Sequence, residues 1–129
     1  MVQQFYSSDQ LYLITVGENA KENDTIRRQA AQNDLWFHLQ DVSSPHVILS
    51  PVDRSLTTSF SSESIHQAAS LCKAFSKQKS MQTSNVIYTP RKQVKGIVEI
   101  DGRVEVKGYV ETIKVYRDDT VRETLKKKV

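Results

Sequence analysis

The strongest constraint on the fold lies between Asn33 and Leu49. There the chain reads Asn33-Asp34-Leu35-Trp36-Phe37-His38-Leu39-Gln40-Asp41, then Val42-Ser43-Ser44-Pro45, then His46-Val47-Ile48-Leu49. Two short β-prone runs flank a polar turn that contains a proline, the pattern of a hairpin with a medium-length loop. Alternation along the first run places Leu35, Phe37 and Leu39 on one face and Trp36, His38 and Gln40 on the other. The first set is a core face. The second puts the only tryptophan and an imidazole where a polar surface is expected, so it is the candidate working surface.

The remaining elements follow from the same patterns. Residues 3–7 and 11–16 read as strands divided by a Ser-Ser-Asp-Gln turn. The second run is nearly continuous in apolar and β-branched residues, which predicts a central strand buried on both faces. Gly17 ends it. A helix is predicted over residues 20–32, with Asn19 as N-cap, Glu22 in the first turn, and Arg27 and Arg28 placed favourably for the helix dipole. Asp24 stands four residues before Arg28, an ion-pair spacing. The apolar stripe of this helix is thin, mainly Ile26 and Ala30, so much of it faces solvent or a ligand. Residues 50–62, polar and with Pro51, are the most loop-like segment. In a second helix, from Glu63 to about Ser76, Ile65, Ala68, Ala69, Cys72 and Phe75 recur at helical spacing. Cys72 lies on that stripe and reads as a small core residue rather than a nucleophile. A strand over 85–89 ends at Pro90, and residues 91–95 form a basic linker. Strands over 97–100, 103–106 and 109–116 follow, the first two joined by Asp101-Gly102 as a tight turn. Asp118 caps a last helix, apolar at Val121 and Leu125, which ends in Lys126-Lys127-Lys128. The order β-β-α-β-β-α-β-β-β-β-α predicts an α+β fold: a single domain over residues 1–129, with a mostly antiparallel β-sheet and two or three helices.

Composition narrows the function. At 129 residues the chain can bury one core, and 38% hydrophobic with 26% charged residues is a globular balance. A lone cysteine rules out an internal disulfide and suits a reducing compartment. No apolar run approaches the roughly 18 residues that span a bilayer, and the N-terminus lacks a secretory pattern, so a cytoplasmic location is expected, with the nucleus second. Residues 1–90 hold seven basic and eight acidic side chains, residues 91–129 eleven and seven. A moderately basic C-terminal third fits a polyanion partner, and fits an ordinary solvated surface as well.

Catalysis finds little support. His38, Asp41 and His46 could converge across the hairpin, but His-x7-His with one Asp is not a metal-site spacing, and no second cysteine helps. The sequence has no GxSxG, HExxH or phosphate-binding glycine loop. The expectation is a protein that is not an enzyme and uses no metal or cofactor, its histidines hydrogen-bonded to backbone or carboxylate groups. Binding is better served. Trp36 and His38 on one strand face could stack on unpaired bases while nearby cations hold phosphate. The alternative is that a helix covers this face and Trp36 is core.

Five stretches carry a family resemblance. Gly17-Glu18-Asn19-Ala20-Lys21-Glu22-Asn23-Asp24, followed by Asn33-Asp34-Leu35-Trp36-Phe37-His38 and His46-Val47-Ile48-Leu49, resembles the NFACT-R domain, an RNA-binding module of ribosome-associated quality control factors. Asn85-Val86-Ile87-Tyr88-Thr89-Pro90 and Phe5-Tyr6-Ser7-Ser8 are similar to the small, stand-alone eukaryotic branch of that family. Residues 91–117 match only loosely. The turn that reads Pro-Gly-Ser-His in many members is Ser43-Ser44-Pro45-His46 here, without the glycine that would set its backbone. The long charged coiled coil of the small branch does not follow Lys128, as expected of a truncated or minimal member. The N-terminal half that handles tRNA in the large factors is absent, so this chain alone is not expected to direct tailing of stalled products.

The resemblance implies a non-catalytic domain that binds tRNA or rRNA on or near the ribosome in translation quality control. DNA is a further partner linked to the small branch. Asn23, Asp24, Asp34, Trp36, Phe37, His38 and His46 are its signature positions. Of these, Asp34 and Phe37 read as structural, and Trp36, His38 and His46 as base or sugar contacts. Lys21, Arg27, Arg28, Lys73, Lys77, Lys79, Arg91, Lys92 and Lys95 are the candidate phosphate contacts. The competing reading is a protein-interaction adaptor that docks through an exposed sheet edge or the 50–62 segment.

Overall fold

A computed structural model describes residues 1–55, 59–97 and 102–128. Its strands are β1 (Gln3–Tyr6), β2 (Tyr12–Val16), β3 (Leu35–Leu39), β4 (Val47–Pro51), β5 (Thr83–Pro90), β6 (Val94–Gly96), β7 (Val104–Val106) and β8 (Glu111–Tyr116). Its helices are α1 (Ala20–Gln29), α2 (Ser62–Ala74) and the single turn α3 (Val121–Thr124). The fold is α+β, and the elements over residues 3–90 and 104–124 follow the order the sequence predicts. Six strands form an antiparallel sheet in the order β1-β2-β4-β3-β5-β8, and β6 and β7 pair as a separate ribbon.

The predicted hairpin is the centre of the sheet. Phe37 stands opposite Val47 of β4 and Tyr88 of β5, so β3 has a neighbour on each side. The strands buried on both faces are β3 and β4. The stretch 11–16, expected in that role, lies one strand from the margin, and its Tyr12, Leu13 and Thr15 are only half-buried.

One face of the sheet meets α2. The Ser61 hydroxyl accepts the Ser64 N–H at 3.1 Å and starts this helix. Its stripe of Ala68, Ala69, Leu71 and Cys72 packs on Phe5, Ile14, Phe37, Leu49, Val86 and Val115. Burial of a side chain such as Phe37 stabilises the fold by about 1.5–3 kcal/mol. Cys72 is fully buried, its thiol pKa pushed up to about 12 by burial, which fits its reading as a core residue.

The other face carries α1 and the ribbon, joined to the sheet through Ile26, Trp36, Ile48 and Val94. Asn19 caps α1 as predicted, accepting the Glu22 N–H at 3.0 Å. The helix stops at Gln29, short of the predicted 32. Ala30 turns extended, and the Asp34 carboxylate accepts the Ala31 N–H at 2.9 Å, reversing the chain into β3. The stretch read as a basic linker is a 3-10 turn (Arg91–Gln93) and then β6, because Val94 is pulled into the cluster around Trp36. Val98, Glu99 and Ile100 of the predicted 97–100 strand, and Asp101 of its turn, lie outside the described residues. Gly102 has φ +77°, and a Cβ there would lie 2.9 Å from that of Ala20, so the ribbon reaches the first turn of α1.

The C-terminal lysines do not extend a helix. Tyr6 donates its N–H to the Lys126 carbonyl at 2.7 Å and Lys128 donates to Gln4 at 2.9 Å, so residues 126–128 line the outer edge of β1. No described helix is long and apolar enough to cross a membrane.

Candidate nucleic-acid interface

Of the two readings of Trp36, base contact or a core ring under a helix, the structure has the second: the ring is sealed between the sheet and the layer formed by α1 and the ribbon, with 1% of its surface exposed. Its Nε1 donates to Nδ1 of His46 at 3.2 Å, a polar tip satisfied inside an apolar site. His46 is equally buried. Desolvation, with the neighbouring His38, pulls its pKa down to about 3, so the ring is neutral at physiological pH and can accept that bond. Neither ring can stack on a base, and both expectations are corrected. His38 lies at a boundary. It stacks on Trp36 at 5.5 Å between centroids and 16° between planes, and its other side borders open space. The His38 Nδ1 is 2.6 Å from the Leu39 carbonyl, and burial lowers the pKa of this ring also. The cavity it borders has a volume of about 730 Å³ and is lined further by Asn23, His46, Lys77, Ile87, Arg103 and Val106.

The other signature positions fasten the covering layer. Asn23 Oδ1 accepts the His46 N–H at 3.1 Å, tying α1 to β4. Asp24 accepts from Arg27 Nη2 at 3.3 Å and from the Gly102 N–H at 2.9 Å, tying α1 to the ribbon. The pair forms at i,i+3 with Arg27, not at i,i+4 with Arg28 as the spacing suggested. Two glycines keep room for these groups: a Cβ on Gly17 would lie 2.4 Å from Asn23 Oδ1, and one on Gly96 2.4 Å from Arg27 Nη2. Asp34 binds Arg54 through both oxygens, at 3.0 and 2.9 Å, while its carbonyl accepts the Arg91 N–H at 2.7 Å. Arg54 was not singled out from the sequence. Its position 20 residues from Asp34, in a loop-like segment, gives no periodic signal.

The candidate phosphate contacts divide accordingly. Arg27 is buried in its ion pair, and Lys73 is buried with its Nζ donating to the Gln78 carbonyl and to Ser84 Oγ; neither reaches a ligand. Arg91 is half-buried, its Nε donating to the Arg27 carbonyl at 2.8 Å. Lys21, Arg28, Lys77, Lys79, Lys92 and Lys95 are exposed. Four of them share one layer. Lys21 and Arg28 lie on the outward side of α1. Lys92 donates its N–H to the Gln32 carbonyl just past the end of α1, and Lys95 points outward between the inward-facing Val94 and Gly96. Lys77 borders the His38 cavity, while Lys79 borders a separate hollow between α2 and α3. Among the described residues no group of three or more His, Cys, Asp or Glu side chains could hold a metal ion.

Comparison with known proteins agrees with this architecture. The chain is 32% identical over 91 residues to coiled-coil domain-containing protein 25 of Mus musculus, covering 70% of this chain and 44% of that protein. It is 32% identical over 91 residues to the Rqc2 homolog RqcH of Bacillus subtilis (strain 168), covering 15% of that protein. The chain thus spans less than half the length of these curated relatives. The solved structure of the C-terminal part of the fibronectin/fibrinogen-binding protein from Streptococcus suis superposes with a TM-score of 0.85 at 25% identity, covering 96% of this chain and 49% of that one. The family model described as the NFACT protein RNA binding domain matches residues 1–108. With the signature residues accounted for as the pins of one layered fold, the chain belongs to the NFACT RNA-binding domain family.

Proposed function

We propose that this domain binds structured RNA, transfer or ribosomal, in cytoplasmic ribosome-associated quality control, and that it does so without catalysing a reaction. The observation that carries the reading is the set of exposed cations Lys21, Arg28, Lys92 and Lys95 on the layer of α1 and the ribbon, with Lys95 opposite Glu105 across the ribbon and none of the four within ion-pair distance of a carboxylate among the described residues. Family membership supports RNA as the polyanion. Cations of this kind position a phosphate backbone without reading bases, which suits recognition by shape. The test is the triple reversal Arg28→Glu, Lys92→Glu, Lys95→Glu, with tRNA affinity followed by fluorescence anisotropy from low to high salt. Each lost contact flattens the slope of log K against log salt by about 0.7–0.9. A slope equal to that of the unaltered protein would move the phosphate site elsewhere. A DNA duplex in the same titration decides whether DNA shares the site.

One observation favours a second reading as a protein adaptor. The outer edge of β8 pairs with no strand among the described residues, and Tyr109 and Tyr116 lie exposed near it. A bound protein that survives nuclease and high salt would favour that reading.

A further inference from the structure

The layer of α1 and the ribbon covers only part of its face of the sheet. Side chains alternate across β3, β5 and β8, and the register places His38 beside Ile87 and Ile87 beside Thr112, with Asn85 beside Lys114 in the next row. Tyr116 stands one row further along β8, on the same side as Thr112 and Lys114. The opposite positions, Val86, Ile113 and Val115, turn toward α2. At the open end of this face Asn85, Thr112, Lys114 and Tyr116 are exposed, the tyrosine to 61%, with Lys114 Nζ 5.9 Å from the Tyr116 ring centroid. None of the described positions on this side of β3, β5 and β8 is a carboxylate. At its inner end the patch runs into the cavity beside His38, whose lining balances Lys77 and Arg103 against Glu18 and Asp41, so the charge for a phosphate is that of Lys114.

We infer that this open sheet face seats unpaired nucleotides of the bound RNA, separately from the cationic outer layer. The inference rests on the RNA-binding reading and specifies what the RNA offers. Two strands at about 4.8 Å spacing, with three side-chain rows about 7 Å apart along β8, make a patch wide enough for one or two bases. Tyr116 supplies a ring for stacking, Asn85 a carboxamide that can donate to and accept from a base edge, and Lys114 a charge for the connecting phosphate. A duplex presents phosphates and grooves but no free base face, so the groups on this patch match single-stranded RNA. The sheet thus keeps a working face on the side the alternation marks, but its exposed ring is Tyr116 instead of Trp36.

The test compares a short labelled oligouridylate with a blunt RNA duplex, using the whole chain. Tyr116→Ala lowers oligouridylate affinity about ten-fold, Tyr116→Phe retains it, and duplex affinity is unchanged. Thr112→Glu, at an exposed strand position, lowers oligouridylate affinity as well and covers the case in which Tyr116→Ala loosens β8. The proposal is overturned if both variants bind oligouridylate like the unaltered protein, if Tyr116→Phe loses as much as Tyr116→Ala, or if duplex binding falls equally. Should those results coincide with loss of duplex binding in the outer-layer triple reversal, the RNA reading stands and only this face is lost. If the unaltered protein binds neither RNA, both readings fall.

Discussion

The two faces of the central sheet are held by different physics. Among the described residues the α2 side buries sixteen apolar side chains in one cluster, the α1 side four. Since stabilisation by burial scales with the apolar surface removed from water, the first face gains several times more from it than the second. The α1 side substitutes directional bonds: Asn23 to the His46 backbone, Asp24 to Arg27 and Gly102, and Trp36 to His46. Such bonds contribute modestly when satisfied and cost more when half broken. They fix where α1 and the ribbon sit, and so they fix the cations those elements carry.

Three measurements can break or sharpen this contrast. The largest effect is expected on the apolar side, where Phe37→Ala removes a fully buried ring and lowers unfolding free energy in urea by about 3–5 kcal/mol. A loss below about 1 kcal/mol would show that the α2 face does not dominate stability. On the polar side, Asp24→Ala leaves the buried Arg27 charge unpaired and is expected to cost about 3 kcal/mol, whereas Asp24→Leu with Arg27→Met recovers most of it. Equal losses in the single and double variants would mean that the pair itself is not what pins the layer. The smallest effect at any one step of the measurement is a pH slope. His46 has a folded pKa of about 3, below its ordinary 6.5, so the unfolded chain takes up that proton first. The contribution is intact above pH 6.5 and declines by up to about 1.4 kcal/mol per pH unit as pH falls toward 3. His46→Gln should be less stable at neutral pH and flatter across this window. An unchanged slope would assign the titration to other groups.

The contrast also explains what the sequence reveals. Period-2 alternation at Leu35, Phe37 and Leu39, helical spacing at Ala68, Ala69 and Cys72, and the Asn19 cap are local signals, and the elements they predict are present in the predicted order. Alternation states which side of a strand a residue occupies, not what lies over it. The cover on Trp36 comes from Ile26 and Val94, too few and too far apart in the chain to form a readable stripe. Arg27 and Arg28 are neighbours of the same type, and only the position of Gly96 and Asp24 separates the buried one from the exposed one. Lys73 escapes prediction because its stem follows the core while its ammonium finds Ser84 and a carbonyl. Tyr116 carries no sequence signal of its own. It becomes a candidate only when the register of β5 and β8 puts it beyond the reach of the covering layer.

The pairing of residues 126–128 with β1 closes the edge that β1 would otherwise leave open. The opposite margin, β8, lies five strand spacings away, about 24 Å. The exposed Lys114 and Tyr116 on β8 are therefore as far across the sheet as it allows from the seam that residues 126–128 close.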